Sequence, residues 1–126
     1  MPKSKSDVHV TPDRVYSIID TFWDLKKDDL FDPCPVSPDF DGLEIDWKNI
    51  NYVNPPYTKL SEFVEKALEE KLKGNRTIML LPAKTDQPWF HRLVHYWCEI
   101  VWIQGRLKFK NNKWSATQPH FLVMIK

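Results

Sequence analysis

Two short runs leave this chain few folds to choose from. Thr77-Ile78-Met79-Leu80-Leu81 and Phe121-Leu122-Val123-Met124-Ile125 are too short for helices and lack the apolar-polar alternation of a half-exposed strand. Strands of this kind are buried on both faces, so the sheet that contains them needs helices above and below it. The sequence therefore predicts an α/β domain of three layers.

Helices appear where that covering requires them. Thr11-Pro12-Asp13 has the form of a helix start, with Thr11 as N-cap, Pro12 at the first helical position and Asp13 complementing the dipole. Val15, Ile18, Ile19 and Phe22 follow at helical spacing, and the helix is expected to fade after Trp23 or Leu25. Thr58 is the expected cap of a second helix, with Leu60, Phe63, Val64, Ala67, Leu68 and Leu72 on one face and Gly74 at its end. Asp86 is the expected cap of a third, carrying Trp89, Phe90, Leu93, Val94 and Trp97.

Five strands are expected, near residues 30–32, 51–54, 77–81, 99–103 and 120–125. A strand, a helix and a second buried strand form a right-handed βαβ unit with parallel strands. No helix fits before the last strand, and its run of apolar residues is too exposed a liability for a sheet edge. It is expected to insert antiparallel between its two predecessors, giving a mostly parallel sheet with an antiparallel last strand. The first strand would keep a free side. Gly105-Arg106-Leu107-Lys108-Phe109-Lys110 either extends the fourth strand or forms a loop, and Val36 to Lys48 reads as a loop. Residues 1–9, polar and lysine-bearing, read as a flexible arm; 10–126 reads as a single domain.

Chemistry is expected at the exits of the strands, because open α/β sheets bind ligands at their carboxyl ends. The exits are Asp32-Pro33-Cys34, Asn54-Pro55-Pro56-Tyr57 and Pro82-Ala83-Lys84. In the second, neither proline can donate a ladder hydrogen bond, and Pro56 restricts Pro55 to extended geometry. A rigid turn results. It would present the Asn54 amide and the Pro55 carbonyl as acceptors beside the Tyr57 ring, an arrangement suited to an exocyclic amine of a nucleobase taken out of its stack. Taken alone, the tetrapeptide is equally the end of an ordinary strand.

Composition narrows the partners. Eighteen basic and 17 acidic residues give a formal net charge of +1, so any hold on nucleic acid must be local. Arg106, Lys108, Lys110 and Lys113 are the candidates near the carboxyl third. The two cysteines, Cys34 and Cys98, have no metal-ligand spacing and resemble the free thiols of a protein in a reducing compartment. No apolar run approaches the roughly 18 residues of a membrane span. A soluble, cytoplasmic protein without metal or membrane partner is expected.

Thr11-Pro12, Asp32-Pro33-Cys34, Asn54-Pro55-Pro56-Tyr57, Leu81-Pro82-Ala83-Lys84-Thr85, Trp89-Phe90-His91, Gly105-Arg106-Leu107-Lys108-Phe109 and the closing apolar strand occur in an order that resembles the phage-type DNA N6-adenine methyltransferases. The resemblance runs from Val10 nearly to the end. It implies a compact Rossmann-like methyltransferase fold that transfers a methyl group from S-adenosylmethionine to N6 of adenine in DNA, acting as a monomer or homodimer. It makes Asn54, Pro55, Pro56 and Tyr57 the catalytic residues. Thr11, Pro12, Asp32, Pro33 and Cys34 would join Asn54 at the cofactor, and Trp89, Phe90, His91, Gly105 and Arg106 would line the face used for DNA, with Lys84, Lys108 and Lys110 as the further DNA-binding candidates. Where the broader superfamily has a glycine-rich turn after its first strand, this chain has Asp32-Pro33-Cys34-Pro35-Val36-Ser37. The amine chemistry alone also accommodates an N4-cytosine or RNA adenine methyltransferase, and the small size also suits an inactive nucleic-acid-binding relative.

Overall fold

The computed structural model describes residues 9–35, 39–95 and 98–126. Residues 1–8 of the expected arm, the start of the Val36 to Lys48 loop and Trp97 lie outside them. The element order is α1 (Asp13–Trp23), β1 (Ile50–Val53), α2 (Leu60–Leu72), β2 (Arg76–Pro82), α3 (Pro88–Val94), β3 (Glu99–Trp102) and β4 (His120–Ile125).

The strands form a mixed four-stranded sheet in the order β1-β2-β4-β3. β1 and β2 are parallel, in the register Tyr52 to Ile78, and β4 is antiparallel to both β2 and β3. Three strands thus run one way and the last runs against them. β4 lies inside the sheet and is buried at all six positions, as its apolar run requires. β3 takes the edge, where Glu99 pairs with Lys126 and accepts from the Trp23 indole.

The expected fifth strand at residues 30–32 is reduced to one parallel bridge between Phe31 and Asn51. Phe31 donates to the Ile50 carbonyl and accepts from the Tyr52 amide. A longer ladder cannot form, since Pro33 has no N–H and the Asp32 carboxylate takes the Cys34 amide at 2.8 Å in a tight turn.

Alternating side chains of the sheet feed two cores. Val53, Met79, Leu81, Phe121, Val123 and Ile125 pack with α2 and α3, joined by Trp47 and Cys34. Tyr52, Ile78, Leu80, Leu122 and Met124 pack with Val15 and Ile19 of α1 and with Ile103, Leu107 and Phe109. The segment after Gly105 is therefore a loop that shares the covering of one sheet face with α1. Its buried Leu107 and Phe109 alternate with exposed Arg106, Lys108 and Lys110.

Helix ends depart from the expected caps. Pro12 is the N-cap of α1, and Thr11 is spent elsewhere. A short 3-10 turn, Tyr57–Lys59, replaces a Thr58 cap, and α2 starts after Lys59. α3 is capped by Gln87 with Pro88 at its start, so Asp86 lies in the turn before it. The end of α2 agrees with the reading of Gly74, which has φ 88°. Its amide donates to Lys71 O and that of Asn75 to Glu70 O, both at 3.0 Å, a Schellman closure.

Candidate active site

β1 ends at Val53 and delivers Asn54 to the carboxyl edge of the sheet, followed by the buried pair Pro55-Pro56. The Asn54 amide group donates to the His9 carbonyl at 2.6 Å and to Thr11 Oγ1 at 3.1 Å. A carbonyl can only accept, so the nitrogen must face the 9–11 segment. Oδ1 makes no hydrogen bond among the described residues and is left as an acceptor.

Thr11 connects this exit to the neighbouring one. Its hydroxyl lies 2.9 Å from Tyr52 Oη, and the Tyr16 ring lies 5.4 Å from that of Tyr52. Burial pushes the Tyr52 hydroxyl well above its ordinary pKa, and the Asp32 carboxylate adds to the rise. Tyr16 is shifted the same way, again chiefly by burial. Both phenols therefore stay protonated beside a half-buried carboxylate. Asp32-Pro33-Cys34 is braced from behind by Gly42: a Cβ on that glycine would fall 1.9 Å from Pro33 O. Trp47 anchors the bracing loop, donating its indole N–H to Gly42 O at 2.8 Å.

Tyr57 follows the prolines and is held at its tip and on its ring. Its hydroxyl lies 2.9 Å from His120 Nε2, at the start of β4. Its ring packs against the core shared with α2 and α3, and the His9 ring lies against it at a centroid distance of 4.7 Å. Residue 9 thus belongs to the folded site, not to a loose arm. A cavity of about 300 Å³ opens alongside, lined by His9, Tyr57, Phe109 and residues 112–118. A larger, shallower hollow of about 910 Å³ lies near Leu30, Trp47 and Ile50, at the amino end of β1. Its position is the wrong end of the sheet for the chemistry of the strand exits.

His120 is neutral near pH 7. Burial lowers its pKa from 6.5 to about 4. Nδ1 lies 3.2 Å from the Gln118 carbonyl and must carry the proton there, which leaves Nε2 to accept from the Tyr57 hydroxyl.

The residues expected to face DNA divide. Lys84, His91, Arg106 and Lys108 are exposed, although Arg106 donates to the Thr117 carbonyl and His91 Nε2 lies 2.8 Å from Thr85 O. Trp89 is only 8% exposed and packs in the core with α2, so its ring serves the fold. Lys110 is paired with Asp13 at 2.7 Å. Trp114 stands out at the cavity rim, 75% exposed, with the Lys113 ammonium 5.3 Å from its ring centroid. His9, Tyr16, Tyr52 and His120 were not legible as site residues. They come from four separate segments, and no motif joins them.

The family model for DNA N-6-adenine-methyltransferase (Dam) matches residues 1–121. A DNA N-6-adenine-methyltransferase of Haemophilus phage HP1 (strain HP1c1) is 30% identical over 141 aligned positions, which cover 98% of this chain and 80% of the relative. Another, of Escherichia phage T1, is 39% identical over 56 positions, covering 44% of this chain and 24% of the relative. No solved structure matches. With its strand exits gathered on one edge and the family match spanning nearly every residue, the chain belongs to the DNA N-6-adenine-methyltransferase (Dam) family.

Proposed function

We propose that this adenine-specific DNA methyltransferase takes its methyl group from S-adenosylmethionine and performs the transfer at the Asn54-Pro55-Pro56-Tyr57 exit of β1. The observation that carries the reading is the tethered Asn54 amide. With its N–H groups committed to His9 O and Thr11 Oγ1, the side chain can offer substrate only an acceptor.

The donor supplies a methyl group on a positively charged sulfur, a leaving group that needs no activation. An acceptor-rich pocket suits such a cation. Asp32, Thr11 and Asn54 would provide its acceptors, flanked by Pro12 and Pro33, while the Cys34 side chain is buried in the core with α2 and would serve the site only through the turn it closes. Gly42 supports the fit, because its bare backbone lets the bracing loop close on Pro33 and stiffens the turn that lacks glycines. In this reading the fold is a shortened Rossmann-like methyltransferase domain that takes in His9 as well as residues 10–126, acting on cytoplasmic DNA as a monomer or homodimer.

The lone pair of adenine N6 is delocalised into the ring and is a poor nucleophile. Asn54 Oδ1 and the Pro55 carbonyl accept from its N–H groups and stabilise the positive charge that develops as the N–C bond forms and the C–S bond breaks. The proton surplus on N6 then passes to water. Holding both reactants in line supplies much of the remaining acceleration. One face of Tyr57 packs on the core, so an extruded adenine stacks on the ring by displacing the His9 imidazole. Lys84, His91, Arg106 and Lys108 are exposed and would meet phosphates.

Mass spectrometry of nucleosides from duplex DNA incubated with the protein and S-adenosylmethionine tests the reaction. N6-methyladenine is expected; methyl on cytosine N4, methyl only on RNA, or donor binding without any mark would overturn it. Asn54→Ala is expected to lower the rate about 10²-fold or more while the protein stays folded. A variant keeping a tenth of the wild-type rate would remove Asn54 from the chemistry.

A further inference from the structure

We infer that His120 is a positioning residue for methyl transfer, acting through the hydroxyl of Tyr57. The inference rests on the reading of Asn54 to Tyr57 as the catalytic turn.

The contact is specific and built from rigid parts. His120 Nε2 and Tyr57 Oη are 2.9 Å apart, and the two rings are 28° from coplanar with centroids 6.3 Å apart, so the imidazole meets the phenol at its tip. His120 itself is 2% exposed. It opens β4 opposite Pro82 of β2, and its carbonyl accepts from the Ile103 amide on the other side. The preceding Pro119 carbonyl accepts from Ala83 at 2.8 Å. The Phe109 ring meets the imidazole edge-on at 5.5 Å. The end of β2, the residue after β3 and the 106–110 loop therefore all help to fix this one imidazole.

Tyr57 needs such a support. It lies in a single 3-10 turn between two prolines and α2, with a phenol that can swing about χ1 and χ2. Its ring must stay in place when the His9 imidazole leaves and a base takes over the exposed face. A hydrogen bond from its tip to the centre of the sheet holds the ring plane without touching that face. The Gln118 carbonyl fixes the imidazole tautomer, so Nε2 is always the acceptor. Nothing in the transfer requires His120 to give or take a proton, and its role is orientation alone.

A double-mutant cycle on the 126-residue chain tests this, with a radiolabelled methyl donor and an adenine-containing DNA duplex as substrates. Tyr57→Phe and His120→Phe both remove this hydrogen bond, from opposite ends, and Tyr57→Phe also removes the bond between the hydroxyl and the Gln118 side chain. Each is expected to lower kcat about fivefold to tenfold with KM for the methyl donor unchanged. The double variant should be no slower than the slower single variant within about twofold, because one interaction cannot be lost twice. His120→Gln, which restores an acceptor, should recover most of the rate. Multiplying effects in the double variant, or wild-type kcat in Tyr57→Phe, would overturn the inference. Tyr57→Phe keeps this test decisive even where His120→Phe does not fold. Tyr57→Ala separates the two levels: full activity there defeats the catalytic reading of the turn. An inactive Tyr57→Ala beside fully active Tyr57→Phe and His120→Phe defeats only the positioning role.

Discussion

Asn54 does two jobs with one side chain, since its nitrogen ties down the 9–11 segment and its oxygen is left over for substrate. Asn54→Asp separates them. An aspartate keeps an acceptor but sets a negative oxygen against the His9 carbonyl, so the segment should detach. Amide hydrogen exchange at Val10 and Thr11 is expected to rise, with more activity retained than in Asn54→Ala. Unchanged exchange there would show that Asn54 does not hold the segment. His120 makes a second residue-scale prediction. Its pKa is near 6.5 unfolded and about 4 folded, so between these values the unfolded chain binds more protons. Stability should fall as pH drops from 6.5 toward 4, by on the order of 3 kcal/mol in total. Urea titrations at stepped pH should show this slope in the wild type and a flatter one in His120→Phe. Glu70 weakens the protein only at lower pH. Burial raises its pKa, but hydrogen bonds from Asn75, Lys73 and the Trp47 amide outweigh this and leave it below the ordinary 4.5. Its contribution is present above that value and lost as pH falls through the depressed one.

At the scale of elements, the loop before β1 replaces missing sheet. Beyond β1 the ladder stops at the single Phe31 bridge. Beside it Trp47 stacks on Phe63 of α2 at 6.3 Å, and the Asn51 side chain ties the Lys48 backbone of this loop to Arg76 of β2. Glu70, at the end of α2, accepts from the Trp47 amide at 3.2 Å and the Asn75 side chain at 2.9 Å. Helix, loop and turn thus share one buried carboxylate, joined by Lys73 at 3.0 Å. Gly42 is where this loop meets the Asp32-Pro33-Cys34 turn. Gly42→Ala must separate two backbones and is expected to cost about 1–3 kcal/mol. It should also weaken binding of the methyl donor, measured by calorimetry. A variant with wild-type melting and donor affinity would show that the loop does not brace the site.

For the whole molecule, a net charge of +1 leaves DNA affinity to local cations. The alternation of the 106–110 loop turns Arg106, Lys108 and Lys110 outward, but Lys110 is engaged by Asp13. Lys84, Lys108 and Lys113 are exposed and form no ion pair among the described residues. Binding is therefore expected to be weak and salt-dependent, each phosphate contact adding about 0.9 to the slope of log affinity against log salt. Lys108→Glu with Lys113→Glu should reduce the slope by about 2 in fluorescence anisotropy titrations. An unchanged slope would move the footprint to another face. No helix among the described residues is long and apolar enough to cross a membrane.

What the sequence alone determined was governed by short-range rules. Uninterrupted apolar runs required buried strands, and β4 lies inside the sheet for that reason. Proline ended β1 before Asn54, Gly74 closed α2, and the order of motifs disclosed the family. Tertiary structure decided what local preference could not. Thr11 is a good N-cap by type, yet its hydroxyl is worth more between Tyr52 and Asn54 than at a helix end that Pro12 can begin without it. Leu30-Phe31 reads as a strand but pairs in a single bridge, because the Leu30 amide is taken by the Lys27 carbonyl, Pro33 has no N–H and the Cys34 amide goes to the Asp32 carboxylate. Trp89 looks like a DNA-facing aromatic in its motif, but α3 is short and turns it into the core. His9 and His120, more than 100 residues apart, meet on one tyrosine only because the sheet gathers its exits on one edge. No window of sequence contains that meeting.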